Sequence, residues 1–201
     1  MSGGTGVVLA TERLVLRRIN EDDSPFLLQL LNDESFLRFI GDRGVRTLED
    51  ASRYARTGPM ASYERFGFGL WLATLKENDA SIGICGLLKR DVLDDVDIGY
   101  ALLPAYRAQG FAIEAVSATL SYARDVLALQ RVVAVVNPDN ASSRKLLDNA
   151  GMRLEGQVRL APDTPMIDLF TLDLRGTLPE AASGMPDGNR EQNTHNSPVT
   201  S

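Results

Sequence analysis

The sequence predicts a domain of the α/β (α+β) class, with a mixed central sheet of about seven strands flanked by about four helices. Segments with a two-residue apolar alternation and segments with helical apolar spacing follow one another in the order β-α-α-β-β-β-α-β-α-β-β. Residues 131–136 are nearly all apolar, which is typical of a central strand covered on both faces. The hydrophobic content of 44% and the charged content of 24% fit a soluble globular protein.

The first half of the chain supplies one strand, two helices and two further strands. Leu14 and Leu16 share one face of the strand predicted at residues 11–19. Pro25 lies early in the first turn of a helix, and Thr47 with Asp50 forms a capping box that opens a second helix. Strands follow at residues 68–75 and 81–89, separated by a polar turn.

The second half alternates strands with helices. A strand at residues 97–103 ends at a proline, and apolar side chains at helical spacing then predict a helix over residues 110–127. Asn140 caps the helix that follows strand 131–136, and Gly151 ends it. Two closing strands are expected near residues 152–155 and 166–173.

The cysteine and histidine content excludes several kinds of chemistry. Cys85 is the single cysteine, so neither an intrachain disulfide nor a Cys-rich metal site can form. The single histidine, His195, lies in a polar tail, so a Ser-His-Asp triad and a His-ligated zinc site are excluded as well. We therefore expect no metal. The net charge of -6 argues against a nucleic-acid-binding domain, which would normally carry a basic face.

The termini and the apolar runs predict the domain boundaries and the cellular location of the protein. No apolar run is long enough to cross a bilayer, and the first six residues lack the basic and apolar regions of a signal peptide. We therefore expect a cytoplasmic protein with no membrane partner. Gly, Pro, Ser and Asn dominate residues 176–201, which predicts a domain at residues 1–175 and a disordered tail after it.

A candidate phosphate-binding turn occupies residues 106–112, between a strand and a helix. Helix N-termini expose unpaired N–H groups and therefore attract phosphates. Gly110 lets a ligand approach the backbone, Ala112 keeps the helix start open, and Arg107 adds a cation. No P-loop and no Rossmann glycine pattern is present. Taken alone, the motif is equally compatible with a simple strand-to-helix loop.

Arg107-x-x-Gly110-x-Ala112, continuing into Glu114, resembles motif A of the GNAT acetyltransferase superfamily. Residues 97–104 resemble the fourth strand of that family, and residues 137–152 resemble its Asn-x-x-Ser helix. Residues 11–17 and 82–87 are similar to the Rim-type branch, the ribosomal-protein N-terminal acetyltransferases. The resemblance covers residues 11–174 in the family's order, and it implies the GNAT fold.

The resemblance implies transfer of an acetyl group from acetyl-CoA to a primary amine by direct attack. The acceptor is either a protein N-terminus or a small-molecule amine, and a homodimer is a family-level expectation. The pantetheine arm is expected to pair with the fourth strand, with the Leu102 N–H as a candidate oxyanion donor. The residues implied to bind the CoA donor are Leu102, Leu103, Arg107, Ala108, Gln109, Gly110, Phe111, Ala112, Asn140 and Ser143.

Two residues are candidates for proton transfer. Asp97 stands where the family often carries a catalytic glutamate, and it is expected to act as the base, directly or through a water. The alternative is that Asp97 caps the strand or pairs with an arginine. Leu147 occupies the position of the family's usual tyrosine acid, so Ser143 is the candidate partner of the departing thiolate; a helix-capping role is its alternative.

Several other residues are left with structural roles or with open alternatives. Cys85 lies in an apolar strand and is expected to be a buried small side chain. Asp95 and Glu64 are weaker candidates for the base. Residues 35–43 line either the acceptor pocket or a helix interface, and residues 91–95 form either a solvated turn or an attractor for a cationic acceptor. The competing functions are a non-catalytic acyl-CoA-binding or sensor protein and an interaction module that acts through the tail.

Overall fold

The computed structural model describes residues 6–175 and folds them into one mixed sheet covered by helices, which confirms the predicted α/β class. The eight strands are β1 (Val7–Ala10), β2 (Leu14–Arg18), β3 (Leu70–Leu75), β4 (Ser81–Leu88), β5 (Val96–Leu102), β6 (Arg131–Val136), β7 (Arg153–Val158) and β8 (Ile167–Asp173). The tail predicted at residues 176–201 lies outside the described residues, as do residues 1–5.

The strand predicted at residues 11–19 is β2, and a tight turn joins it to a preceding strand, β1, that was not predicted. The backbone N–H of Thr11 donates to the carbonyl of Leu14 at 2.9 Å, and the Thr11 hydroxyl accepts from the N–H of Leu14 at 2.9 Å. The chain therefore reverses between β1 and β2, and the two strands pair antiparallel. β1 was not predicted because its four residues are too few to show an alternating pattern.

The described residues form more helices than the sequence predicted. They are α1 (Ser24–Leu31), α2 (Glu34–Phe39), α3 (Leu48–Ala55), α4 (Ala61–Phe66), α5 (Phe111–Asp125) and α6 (Ala141–Asn149). Asp33 accepts hydrogen bonds from two N–H groups at the start of α2, so a new helix begins directly after α1. A π-helical turn at Arg56–Met60, which contains Pro59, separates α3 from α4.

The predicted helix caps are confirmed. Thr47 accepts from the N–H of Asp50, and the Asp50 side chain accepts from the N–H of Thr47, so the capping box at the start of α3 is complete. Asn140 accepts from the N–H of Ser143 at the start of α6. Gly151, with φ +83°, follows the end of that helix in the left-handed conformation.

The sheet changes its pairing at β5. The strand order is β1-β2-β3-β4-β5-β6-β8-β7, and all neighbours are antiparallel except β5 and β6. These two parallel strands pair only through Val96 with Val132 and Asp97 with Val133. β5 continues to Leu102 without a further partner in β6, so the sheet opens between the two strands toward the end of β5.

The two faces of the sheet carry separate apolar cores. On one face, α5 and α6 pack their apolar side chains, including Val116, Leu120 and Leu147, against the sheet. On the other face, α1 and α3 do the same with residues such as Leu27 and Ala51. β6 lies between β5 and β8 with buried valines and an alanine, which confirms its predicted central place. Among the described residues, no helix is both long and apolar enough to cross a membrane.

Candidate functional site

The turn between β5 and α5 has the backbone shape of an anion-binding nest. A single 3₁₀ turn at Pro104–Tyr106 follows β5, and α5 begins at Phe111. Gly110 is the N-cap of α5 with φ +83°, and Ala108 also has a positive φ of +59°. Left-handed residues in such a turn direct successive N–H groups toward a common point, where an anion can be bound.

The N–H groups of this turn are unused by the protein. Within residues 6–175, none of the N–H groups from Ala108 to Ile113 donates a hydrogen bond to a protein acceptor, and the first intrahelical donor is Glu114, to the Gly110 carbonyl. Ala108, Gln109 and Gly110 are also exposed. Backbone N–H groups that are unpaired and grouped at a helix N-terminus are well suited to phosphate oxygens.

Arg107 is held in place by the protein. Its Nη2 forms an ion pair with Asp33 at 2.5 Å, its Nη1 donates to the hydroxyl of Ser35 at 2.7 Å, and its Nε donates to the carbonyl of Leu102 at 2.8 Å. The prediction that Arg107 adds a cation for a ligand stays a prediction. Its guanidinium fixes the turn to the start of α2.

A second arginine, Arg13 in the connection between β1 and β2, also holds the turn. Arg13 pairs with Glu114 in the first turn of α5 at 2.7 Å, and its Nη1 donates to the carbonyl of Gln109 at 3.0 Å. The guanidinium also lies 4.4 Å from the centre of the Phe111 ring. Thr11 donates to the same carboxylate at 2.5 Å. The turn of residues 107–112 is thus anchored on both sides by side chains distant in sequence.

The open stretch of β5 presents backbone groups on the side of β6. The N–H of Leu103 donates to the carbonyl of Ile82 at 2.9 Å, so in this antiparallel ladder the neighbouring N–H, that of Leu102, points away from β4. The N–H of Leu103 is used in this way and its carbonyl accepts from the N–H of Tyr106, so its predicted contact with the pantetheine arm stays a prediction. Leu102 keeps an N–H directed at the gap between β5 and β6.

Asp97 lies at the point where β5 and β6 separate. Its side chain is only 1% exposed, and its Oδ2 accepts from the Nε of Arg90 at 2.5 Å. The buried Oδ1 has no hydrogen-bond partner among the described residues. Burial raises the pKa of Asp97 to about 6, although the nearby Arg90 and, to a smaller extent, the nearby backbone N–H of Val135 act to lower it. Asp97 therefore pairs with an arginine, which was the alternative to its role as the base. Despite this ion pair, its pKa stays in the range that suits a general base at neutral pH.

Ser143 meets a tyrosine that was not expected to take part. The Oγ of Ser143 and the hydroxyl of Tyr100 are 2.5 Å apart, and Tyr100 also donates to the Ser143 carbonyl at 3.3 Å. Burial raises the pKa of Tyr100 to about 12, so its phenol stays protonated at neutral pH. Leu147, at the position of the family's tyrosine, is 1% exposed and belongs to the core.

Asn140 performs the capping role that was its alternative reading. Its Oδ1 accepts from the N–H of Ser143 at 3.1 Å and from the hydroxyl of Ser142 at 2.9 Å. Within residues 6–175 its Nδ2 makes no hydrogen bond, so one donor remains for a ligand.

Two site residues, Tyr100 and Arg13, escaped the sequence interpretation. Tyr100 packs beside Ser143, on the face of the sheet opposite Asp97. Its role depends on the contact between β5 and α6, which is a tertiary contact that the local sequence does not show. Glu114, in the first turn of α5, forms an ion pair with Arg13. Nothing in the sequence around Glu114 identifies Arg13 as its partner.

The remaining candidates are divided between structural and open roles. Cys85 is fully buried beside Thr119, which confirms it as a core residue. Asp95 forms an ion pair with Arg131 at 3.3 Å, and Glu64 lies exposed on α4. In the region proposed to line the acceptor pocket, residue 35 is engaged by Arg107 and residue 36 is buried, whereas residues 39 and 43 stay accessible. No metal-binding cluster of His, Cys, Asp or Glu exists among residues 6–175.

Sequence comparison gives a family and a set of relatives. The model of the Acetyltransferase (GNAT) domain matches residues 13–153. The uncharacterized N-acetyltransferase YoaA of Bacillus subtilis (strain 168) is 30% identical over 154 residues, which are 76% of this chain and 86% of that protein. The matched region contains the whole turn of residues 107–112 together with Asp97 and Ser143.

Structural comparison leads to the same fold. A GNAT-family acetyltransferase from Bacillus anthracis has a TM-score of 0.70 at 22% identity, covering 84% of this chain and 99% of that chain. RimL, a ribosomal L7/L12 α-N-protein acetyltransferase in complex with coenzyme A, has a TM-score of 0.71 at 18% identity, covering 83% of this chain and 97% of that chain. These likenesses confirm the predicted GNAT fold, and membership of the Rim-type branch stays a prediction.

Proposed function

This chain belongs to the GNAT acetyltransferase family and is an N-acetyltransferase, and we propose that it moves the acetyl group of acetyl-CoA to a primary amine. The observation that carries the proposal is the run of unused N–H groups from Ala108 to Ile113, which lies next to the open stretch of β5. The unused N–H groups suit a pyrophosphate. The open stretch of β5 suits an extended pantetheine arm that adds to the sheet as a further strand.

The donor site follows from these two features. The turn from Ala108 to Ala112 binds the pyrophosphate through its N–H groups, while Arg107 and Arg13 hold the turn in shape. The arm enters the gap between β5 and β6 and pairs with the N–H of Leu102, and the free Nδ2 of Asn140 bonds it from α6. The CoA-bound state of the RimL neighbour supports coenzyme A as the ligand at this place in the fold.

The catalytic groups approach the gap from opposite faces of the sheet. Asp97 faces the layer of α1 and α3, whereas Tyr100 and Ser143 face the layer of α5 and α6. Asp97 takes a proton from the acceptor ammonium, because only the neutral amine carries the electron pair that attacks the thioester carbon. The Leu102 N–H stabilises the oxyanion that forms on the carbonyl oxygen.

The leaving group is met by the pair of hydroxyls. As the carbon–sulfur bond breaks, its electron pair stays on sulfur, and the Ser143 hydroxyl donates a hydrogen bond or a proton to it. Tyr100, held protonated by burial, returns a proton to Ser143. A thiol with a pKa of about 8.5 leaves readily, so this assistance contributes less than the base does.

The acceptor class is a protein N-terminus or a small-molecule amine. The test is turnover of acetyl-CoA with a panel of peptides and small amines, with free thiol as one readout and mass spectrometry of the acetylated amine as the other. We expect thiol release only with an amine present, and loss of turnover in Asp97→Asn. Tight binding of CoA without turnover across the whole panel would instead indicate a non-catalytic acyl-CoA-binding protein.

A further inference from the structure

A small open cavity lies between the α3–α4 segment and the ends of β3 and β4. Its volume is about 270 Å³. It is lined by Tyr54, Thr57, Gly58, Pro59, Ala61, Ser62, Arg65, Phe66, Leu70, Leu88 and Lys89. The π-helical turn at Arg56–Met60 forms part of its wall, and such turns are frequent at functional sites.

The cavity adjoins the surroundings of Asp97. Leu88, in its wall, is paired directly opposite Asp97 in the β4–β5 ladder, so the two side chains lie on the same face of the sheet. Leu88 and Leu70 also cover Gly99 on that face, since a Cβ placed there would lie 2.8 Å from one and 3.5 Å from the other. Leu70 and Leu88 therefore belong both to the wall of the cavity and to the face of the sheet that carries Asp97.

The wall of the cavity is positively charged, although the chain as a whole carries a net charge of -6. Arg65 and Lys89 are in the wall, and no aspartate or glutamate is. The Lys89 ammonium donates to the carbonyls of residues 93 and 94 at 2.8 and 2.6 Å, which fixes its position without neutralising its charge. Asp97, which lies opposite Leu88 in the β4–β5 ladder, is paired with Arg90.

Two polar groups in the wall have no protein partner among residues 6–175. The Arg65 guanidinium lies over the Phe66 ring and forms no ion pair there. The hydroxyl of Tyr54 donates no hydrogen bond within the described residues. Burial raises the pKa of Tyr54, while the positive charges of Arg43 and Arg90 act to lower it, so both cations are close to this hydroxyl. An unpaired phenol and an unpaired guanidinium together suit an anionic group.

We propose that this cavity binds the carboxylate-bearing, apolar end of the acceptor amine, through Arg65, Lys89 and Tyr54. This inference rests on the acetyl transfer proposed above. The cavity is smaller than the roughly 300–1,000 Å³ typical of drug-sized ligands, so it admits a single ring or one short side chain. The carboxylate belongs either to a small amino acid or to an acidic residue beside a peptide N-terminus.

The proposed cavity attracts a negatively charged part of the acceptor, whereas the acidic run at residues 91–95 suggested an attractor for a positively charged acceptor. Asp94 and Asp95 line a different depression of about 400 Å³, together with Arg131 and Arg175. That depression lies where β5 and β6 begin, and its carboxylates face arginines. It therefore offers no net negative charge to an ammonium group.

Matched pairs of amines test the proposal without changing the basicity of the amine. One pair is 4-(aminomethyl)benzoate and 4-(aminomethyl)benzamide; the other consists of two tripeptide amides that differ only in glutamate or glutamine at the second position. We expect kcat/KM to favour the carboxylate member by about fivefold for each cation that contacts it. The pair that shows the preference identifies whether the carboxylate comes from a small molecule or from a peptide.

The variants Arg65→Gln and Arg65→Gln/Lys89→Gln should reduce and then abolish this preference. Arg124→Gln, which removes an equivalent charge at the distant end of α5, should leave it intact. Equal kcat/KM values within both pairs, or a preference that survives in the double variant, would overturn the proposal.

A binding measurement separates this proposal from the activity itself. Ligand-observed NMR with 4-(aminomethyl)benzoate is performed on protein saturated with CoA, where no acetyl group is available. Binding that requires Arg65, combined with an absence of turnover in the separate assays with acetyl-CoA, would uphold the cavity assignment and refute acetyl transfer. Turnover of both members of each pair at equal kcat/KM would support acetyl transfer and refute the cavity assignment.

Discussion

Glu114 and Arg13 join the first turn of α5 to the turn before β2. The Nε and Nη2 of Arg13 both contact Oε2 of Glu114 at 2.7 Å, and the backbone N–H of Arg13 donates to Oε1 at 2.8 Å. Partial burial acts to raise the pKa of Glu114, but hydrogen bonds from Thr11 and Arg13 outweigh it and lower the pKa below its usual value. The carboxylate is therefore charged and fixed beside the turn of residues 107–112.

The first prediction concerns Glu114→Gln. Removing a negative charge near the bound phosphates would strengthen the binding of anionic CoA if only net charge mattered. If Glu114 positions the turn, the loss of its ion pair loosens the N–H groups, and the Kd for CoA rises by about tenfold, or about 1.4 kcal/mol. Titration calorimetry with CoA distinguishes the two directions.

The control for this prediction is Asp125→Asn, which removes the same charge from the last turn of α5, where it pairs with Arg124. We expect its Kd for CoA to equal that of the wild type. Tighter binding by Glu114→Gln would show that the carboxylate does not position the turn.

The second prediction concerns the pH dependence of catalysis. Burial raises the pKa of Asp97 to about 6, and a general base works in its deprotonated form. The value of kcat should therefore fall as the pH drops below about 6, with amines of different basicity showing the same limb. Arg90→Gln removes a cation that lowers this pKa, so it should move the limb to higher pH.

The variant Asp97→Asn should lower kcat by about a hundredfold or more and abolish the limb. Asp168→Asn is the matched control, because Asp168 is also buried, at 3% exposed, and also pairs with an arginine. Asp97 is not the base if its asparagine variant keeps both the rate and the limb.

The third prediction concerns the pH dependence of the free energy of unfolding. The pKa of Asp97 is raised from 3.8 to about 6 on folding, so between these values the folded protein holds a proton that the unfolded chain has released. This group therefore stabilises the fold at low pH, and its contribution is lost as the pH rises from about 4 to about 6. Two pKa units correspond to about 3 kcal/mol.

The measurement is the difference in the free energy of unfolding between the wild type and Asp97→Asn, obtained with urea from pH 4 to pH 7. Using the difference removes the contributions of other carboxylates, such as Asp50, whose pKa is lowered and whose effect has the opposite sign. We expect the wild type to lose stability relative to the variant as the pH rises. A difference that is independent of pH would mean that Asp97 ionises normally.

The features that the sequence predicted well are those encoded by neighbouring residues. The capping box of Thr47 and Asp50, the cap at Asn140 and the apolar strand β6 each need only a short stretch of chain, and each is confirmed. β1 escaped because four edge residues carry too little pattern.

The features that the sequence could not supply are side-chain pairings across the fold. Arg107 was expected to face a ligand, and its engagement by Asp33, 74 residues away, could not be read from its own surroundings. Asp97 as the base stays a prediction, and its burial and its unpaired oxygen depend on the packing around the end of β4. Local pattern therefore proposes candidate residues, and tertiary contacts decide which of their polar groups remain available.

The last prediction concerns the hydroxyl pair of Tyr100 and Ser143. Their oxygens are 2.5 Å apart, and burial raises the pKa of Tyr100 to about 12, so a proton is available there at neutral pH. Tyr100→Phe keeps the ring in the core and removes only the hydroxyl. We expect kcat to fall by about tenfold, because the thiolate leaves fairly well without help, while the Kd for CoA stays unchanged.

Tyr122→Phe is the control for this variant, since Tyr122 packs edge-on against Trp71 on the same side of the sheet. It should leave kcat unaltered. Ser143→Ala should match Tyr100→Phe, and the double variant should fall no further, because two residues that pass a single proton act as one unit. Additive losses in the double variant would show that the two hydroxyls act independently, and an unchanged kcat in Tyr100→Phe would remove the tyrosine from the mechanism.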